Sequence, residues 1–281
     1  MSSVIEINGL TKHYDGFTLD KISFSQPQGS IMGFIGENGA GKSTTIKLIL
    51  NVIHRDEGEI KVFGRDNLTY GAEIKEQIGV VYDESSFPES MTATNINAFM
   101  SRIYRNWDHQ AYFRYLDQFG LPNNKEIKTF SRGMKMKLSI ATALSHRARL
   151  LILDEPTSGL DPVVRDEILD IFLEFIQSED HSIFLSTHIT SDIEKIADYI
   201  TFIHQGRIVF VSDKDELLTR YGVLKCGLDE FEHIDKRLIK GYRKNRFGVE
   251  ALVEKSNFRG GLIDTATIED IMLFILRGEK Q

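Results

Sequence analysis

The 281-residue chain has a single cysteine, Cys226, so no disulfide can close within it, which fits a reducing compartment. It has no uninterrupted apolar run near the ~20 residues that span a bilayer as a helix. No early stretch joins basic residues to a long apolar core, so no secretory signal is expected. The chain should be soluble by itself, and work at a membrane would require a separate partner. Positive charge is scarce: 34 Lys and Arg against 41 Asp and Glu leave a formal charge of −7, which argues against a general electrostatic grip on nucleic acid. Low-complexity segments are also missing. The 41% of hydrophobic residues suffices for a packed core, and the length suits one large domain or a large and a small one.

The most informative stretch runs from Ile31 to Thr44. Ile31-Met32-Gly33-Phe34-Ile35 reads as a short buried strand, and Gly36-Glu37-Asn38-Gly39-Ala40-Gly41-Lys42-Ser43-Thr44 as a glycine loop that opens a helix. That helix is predicted because Ile46, Ile49, Leu50 and Ile53 recur at helical spacing. Gly36, Gly39 and Gly41 carry no Cβ, so backbone N–H groups can converge on one concavity, and the positive end of the helix completes an anion site. Lys42 can reach the β/γ-phosphates of a nucleotide, and the Ser43 hydroxyl can ligate the accompanying Mg²⁺. A plain glycine turn between strand and helix would need neither Lys42 nor Ser43.

Upstream, Val4 to Ile7 and Phe17 to Phe24 read as two strands of an antiparallel edge, with a turn from Lys12 to Gly16. Tyr14 in that turn could pack on its own hairpin or offer an aromatic face to a nucleobase. Downstream, Glu59 to Phe63 and Ile78 to Tyr82 are strand-like. Residues 86 to about 145 read as a helical insert. Thr92 or Thr94 could cap its first helix, with Ile96, Phe99, Met100 and Ile103 on one face. Tyr112, Leu116 and Phe119 mark a second helix, and these aromatics suit a core better than a ligand box.

Leu150 to Leu153 is an apolar strand that stops at Asp154-Glu155. Asp154 can bind Mg²⁺ through its waters, and Glu155 can polarise an attacking water as a general base. An acidic strand end facing solvent would accept either residue, so the case rests on the company of Lys42. Asp161-Pro162 starts a helix, with Asp161 as cap. It should bury Val164, Ile168, Ile171, Phe172 and Phe175. The next strand, Ser182 to Ser186, ends at Thr187-His188, where His188 could contact a γ-phosphate. Helices alternating with apolar strands predict a largely parallel sheet covered on both faces. After about Tyr221 the pattern changes to a small α+β appendage. It has a strand over 247–254 and a capping box at Thr267-Ile268-Glu269-Asp270 that opens a last helix.

Over about residues 2 to 220 the chain resembles the ATP-binding subunit of ATP-binding cassette (ABC) transporters. Five ordered motifs carry the likeness: Gly36 to Ser43, the strand at Ile78 to Tyr82, Phe130-Ser131-Arg132-Gly133-Met134 at the family's signature, Asp154 to Asp161, and Ser186-Thr187-His188. The resemblance implies an α/β fold: a P-loop ATPase core with a mostly parallel sheet, an antiparallel β edge and the helical insert over 1–220, then the appendage over 221–281. It places Tyr14 at the adenine-stacking aromatic and His188 at the switch histidine. It also implies a head-to-tail pair, homodimer or heterodimer, in which Ser131 and Gly133 of one subunit meet the γ-phosphate held by Lys42 of the other. Ser131 would cap the helix through Leu138 and Ala141 and turn its positive end to that anion.

Two motifs depart from the family pattern. Asp83 stands where a glutamine normally touches Mg²⁺, and Arg132 and Met134 replace glycine and glutamine in the signature. Arg132 could add charge near the phosphates or simply be solvated. The implied function is ATP hydrolysis that drives transport through an integral membrane subunit, from the cytoplasmic face of the membrane and with no nucleic-acid partner. Compact cassettes with a small appendage look like the bacterial exporter branch, whose cargo is often peptides or amphipathic and lipophilic compounds. Cassettes acting on ribosomes or DNA usually carry two cassettes or a long coiled coil, and neither is seen here. A nucleotide-dependent regulator with weak hydrolysis is a third reading, and Asp83 is its best support.

Overall fold

The computed structural model describes residues 2–84, 86–258 and 262–277. Its backbone contacts divide the chain into two compact units, Met1–Val211 and Ser212–Gln281. Among the described residues, no helix is long and apolar enough to cross a membrane.

The first unit opens on β1 (Ser3–Tyr14) and β2 (Phe17–Pro27), paired antiparallel. The turn predicted from Lys12 to Gly16 is shorter than expected: β1 continues to Tyr14, and only Asp15 and Gly16 turn, with Gly16 at φ +80°. The Asp56 carboxylate holds the strand straight there, accepting from the Lys12 ammonium at 2.8 Å and the His13 amide at 2.7 Å. Then come β3 (Ile31–Ile35), α1 (Lys42–Ile49), β4 (Glu57–Val62), the short β5 (Arg65–Asp66), α2 (Gly71–Lys75) and β6 (Ile78–Val81). The expected antiparallel edge is a four-stranded sheet of order β2-β1-β4-β5.

The helical insert contains α3 (Ala93–Met100), α4 (His109–Gln118) and α5 (Arg132–Leu144). Thr92 caps α3 in a reciprocal box with Asn95. The apolar face predicted for this helix is only partly buried: Ile96 is enclosed, but Phe99 and Ile103 stay 52% and 51% exposed. For Ile103 the reason is length, because the helix ends at Met100 and Ile103 lies beyond it. Tyr112 and Leu116 of α4 are buried as expected, and the Tyr112 hydroxyl donates to the Ala93 carbonyl at 3.1 Å.

From β7 (Leu150–Asp154) the chain alternates through α6 (Pro162–Phe175), β8 (Ser182–Thr187), α7 (Thr190–Ile196), β9 (Tyr199–His204) and β10 (Arg207–Asp213). The main sheet has the order β10-β9-β3-β8-β7-β6 and is parallel from β9 to β6. β3, β7 and β8 are buried at every residue, as strands covered on both faces must be. Phe24, Phe34 and Phe184 pack together in this core, with ring centroids 5.2 to 6.0 Å apart. On α6 the buried residues are Ile168, Leu169 and Phe172, a narrower face than the five residues predicted. His146, after α5, donates from Nε2 to the Ile78 carbonyl at 3.0 Å and packs on Tyr104. Burial pushes its pKa down to about 4, so the ring stays neutral.

The second unit contains α8 (Lys214–Arg220), β11 (Tyr221–Cys226), α9 (Leu228–Glu232), β12 (Ile239–Asn245), β13 (Gly248–Glu254), β14 (Leu262–Thr265) and α10 (Ile268–Arg277). Its strands form one antiparallel sheet of order β12-β13-β11-β14. The sequence reading divides the chain at 220/221, whereas the compact unit also takes in α8. The Lys255 ammonium donates to the Leu218 carbonyl at 3.1 Å, and Arg220 pairs with Glu254 at 2.9 Å. At the start of α10, Thr267 and Asp270 exchange side-chain and backbone bonds of 3.0 Å, the reciprocal box read from the sequence.

Candidate functional site

β3 lies between β8 and β9, so its carboxyl end opens at the middle of the parallel sheet, where α/β folds bind ligands. The loop from Gly36 to Gly41 starts there. A Cβ on Gly36 would stand 2.4 Å from the Ile203 carbonyl oxygen, so only glycine lets the loop lie this close to β9. Gly41 precedes α1 at φ +115°, left-handed backbone that favours glycine. No side chain caps α1, which leaves its first amides free to meet a ligand. Asn38, Gly39, Gly41, Lys42, Ser43 and Thr44 line one cleft together with Gly16, Phe17 and Glu155. The hydroxyl of the buried Thr45 is spent on the Gly41 carbonyl at 2.9 Å, whereas Ser43 is exposed.

Lys42 is nearly enclosed, with 6% of its surface exposed. Its ammonium donates to the Gly36 carbonyl at 2.7 Å and the Glu37 carbonyl at 3.3 Å, and lies 3.2 Å from Glu155 Oε1. A buried cation needs such partners, because desolvation without them is costly. Tyr14 ends β1 in the hairpin whose Gly16 and Phe17 line the cleft. Its ring is 46% exposed, so it does not pack away on the hairpin, and the Lys12 ammonium lies 5.8 Å from the ring centre.

The two carboxylates at the end of β7 have different surroundings. Asp154 sits opposite Ser186 in the parallel register, and the Ser186 hydroxyl donates to its Oδ1 at 2.5 Å. Burial, with the Asp154 carboxylate nearby, holds the Tyr82 phenol above its usual range. Glu155 takes left-handed backbone at φ +52°, strain of about 1 kcal/mol for a residue with a Cβ. That bend turns its carboxylate into the cleft. Oε1 meets Lys42, and Oε2 accepts from the His188 amide at 3.3 Å and touches His188 Nδ1 at 2.8 Å. Lys42, Glu155 and His188, from the ends of three adjacent strands, thus form one chain of contacts.

A second network, not anticipated from the sequence, holds the turn after Glu155. Asp192 on α7, 1% exposed, accepts from the Thr157 hydroxyl and from Arg165 Nε on α6, both at 2.5 Å. Its only local signal is an acidic residue in the first turn of a helix, which is commonplace.

The remaining expected residues do not line the Lys42 cleft. Ser131 caps α5, accepting from the Met134 amide at 3.2 Å. Asp161 caps α6 in the same way from Val164, at 3.1 Å. Gly133 lies against Val164, so the starts of the two helices are neighbours. Asp83 is bonded at 2.5 Å to Arg132 Nη2 and lines a separate groove with it, so Arg132 is paired rather than simply solvated. Among the described residues, no three His, Cys, Asp or Glu side chains gather into a metal site. Magnesium does not require such a cluster. It takes few protein oxygens and completes its shell with water and phosphate, which suits a donor set of Ser43 and Asp154.

The family profile described as "ABC transporter" matches residues 19–158. The bacitracin transport ATP-binding protein BcrA of Bacillus licheniformis is 37% identical over 226 residues, 78% of this chain and 73% of that protein. The lantibiotic transport ATP-binding protein SrtF of Streptococcus pyogenes is 34% identical over 215 residues, 75% of this chain and 92% of that one. A solved structure described as the ATP binding subunit of an ABC transporter superposes with a TM-score of 0.68 at 27% identity, covering 76% of this chain and 92% of its own.

Proposed function

The chain belongs to the ABC transporter family as an ATP-binding, ATP-hydrolysing subunit that powers transport through a separate membrane protein, and from that premise we propose which residues do the work and what is moved. The observation that carries the assignment is the contact chain Lys42–Glu155–His188, which joins the phosphate loop to a carboxylate and an imidazole.

The phosphates of ATP lie against the amides of the loop and the start of α1, where aligned N–H groups favour an anion. Lys42 then exchanges the Gly36 and Glu37 carbonyls for phosphate oxygens. Glu155, released from Lys42 and still held by His188, accepts a proton from water as the water oxygen attacks the γ-phosphorus. The bond from that phosphorus to the β–γ bridging oxygen breaks, leaving ADP and phosphate. Bound magnesium would neutralise charge on the β- and γ-oxygens, with Ser43 and Asp154 as its protein donors. Asp83 has Oδ1 bonded to Arg132 and would meet it through Oδ2. Tyr14 stacks on the adenine.

Ser131, Gly133 and Asp161 complete the site of a second ATP-binding subunit in a head-to-tail pair, which explains their distance from the cleft of their own chain. The partner for transport is an integral membrane subunit, whose cytosolic helices dock in the groove near Asp83 and the helical insert. This keeps the chain at the cytoplasmic face of the membrane. BcrA and SrtF are named for transport of bacitracin and of a lantibiotic, which favours export of a peptide or a similar amphipathic compound. Affinity capture of the full chain from detergent-solubilised membranes tests this. Recovery of an integral membrane protein with several spanning helices is the expected result. Recovery of ribosomes or DNA without one refutes it.

A further inference from the structure

Arg132 and Asp83, two of the residues that depart from the family pattern, are bonded to each other, and the guanidinium touches a third segment as well. Arg132 Nη2 lies 2.5 Å from Asp83 Oδ1. A Cβ placed on Gly159 would come within 2.8 Å of Arg132 Nη1 and 3.0 Å of Cζ, so the planar group lies directly on the bare backbone of that glycine. Gly159 is at φ +65°, which disfavours a side chain there on conformational grounds too. Arg132 therefore joins three segments: the end of β6, the start of α5, and the turn that begins at Glu155.

Beyond Glu155 itself, two side-chain contacts hold that turn. One is buried, the bond from Thr157 to Asp192. The other is the Arg132 guanidinium on Gly159, in a pair whose side chains are 50% and 44% exposed. An ion pair so exposed shifts a population by no more than about fivefold, so it contributes little to folding and can exchange partners readily. Its consequence is local. The turn starts from the strained Glu155 backbone, and a carboxylate that must face a water molecule is sensitive to small displacements.

We propose that Arg132 is a positioning residue for ATP hydrolysis: it uses Asp83 as an anchor and clamps the Gly159 turn, fixing the direction of the Glu155 carboxylate. The clamp also connects the end of β6 to the catalytic turn, so a displacement of Asp83 is passed to Glu155 through one side chain. Glycine, the usual residue at this signature position, has no side chain with which to make such a link.

The test uses the full chain with Arg132→Ala, Asp83→Ala, the double variant, Arg132→Lys and Glu155→Gln as the hydrolysis-dead control. Steady-state ATPase rates are read together with hydrogen exchange of the Ser158 and Leu160 amides, which bond to the Glu155 and Thr157 carbonyls. Each alanine variant should lower kcat about three- to tenfold, with KM for ATP changed less than twofold. The double variant should be no worse than either single one. Arg132→Lys, which keeps the charge, should recover at least half of the loss. In Arg132→Ala the two amides should exchange about threefold faster without nucleotide, a change absent from Glu155→Gln. Multiplicative losses in the double variant, an effect confined to KM, or lost turnover with unchanged exchange would each overturn the clamp. Glu155→Gln turning over like the natural chain would instead refute the assignment of the base and leave the exchange result to decide on the clamp.

Discussion

Replacing Asp192 should damage both stability and turnover, and the size of each effect follows from its contacts. The carboxylate is 1% exposed and accepts two bonds of 2.5 Å, from the Thr157 hydroxyl and from Arg165 Nε. Hydrogen bonds to a buried charge are worth about 1.5–3 kcal/mol each, and removing one partner of a buried pair costs about 3–5 kcal/mol. Arg165 is 27% exposed and can rehydrate, which places Asp192→Ala near the lower bound, at about 3 kcal/mol. Asp192→Asn keeps an acceptor for one of the two donors and should lose roughly half as much. Trp107, the single tryptophan, lies in the first unit, so its fluorescence follows that unit alone during urea unfolding. With a slope of about 3 kcal/mol/M, the midpoint for Asp192→Ala should fall by about 1 M. Because the network holds the turn that aims Glu155, kcat should also fall, by tenfold or more at a temperature where the variant remains folded. A midpoint within about 0.2 M of the natural chain would refute the energetic reasoning. A loss of stability with unchanged kcat would refute the link from Asp192 to the turn.

Three further outcomes are expected. Glu155→Gln should retain ATP but hydrolyse it about 100-fold or more slowly, as measured by phosphate release, since an amide cannot accept the proton from water. Lys42→Ala should lose most nucleotide affinity in titrations with a fluorescent ATP analogue, because the ammonium that reaches the loop carbonyls and Glu155 is gone. His146 gives a pH signature. Its pKa is about 4 in the folded chain and about 6.5 when unfolded, so between those values the unfolded chain binds the proton and the folded chain refuses it. Stability therefore falls as pH drops through that window, by up to about 3 kcal/mol. His146→Gln should flatten the slope between pH 4 and 6.5 in urea titrations followed by Trp107.

Much of the fold and part of the site follow from local rules. The glycine loop, the caps at Thr92, Ser131 and Asp161, and the strand ending at Asp154 are set by residues within a few positions of one another, where backbone sterics and the first turn of a helix act. The early turn and the apolar face of the insert's first helix differ from the sequence expectation because distant or absent partners decide them. Asp56, more than forty residues away, keeps Lys12 and His13 extended. Ile103 continues a helical spacing after the helix itself has stopped.

By itself, then, the sequence determined that a phosphate-binding loop exists, which helices carry caps, and that two carboxylates end a buried strand. The tertiary structure decided what those groups touch. Lys42 meets Glu155, and Glu155 meets His188, because β3, β8 and β7 are neighbours in the sheet. Arg132 reaches Asp83 across 49 positions, and Asp192 reaches Thr157 across 35. Contacts at such separations depend on strand order and helix packing. No periodicity or motif in the chain encodes them, since a pairing between such distant positions leaves no trace in the residues next to either partner.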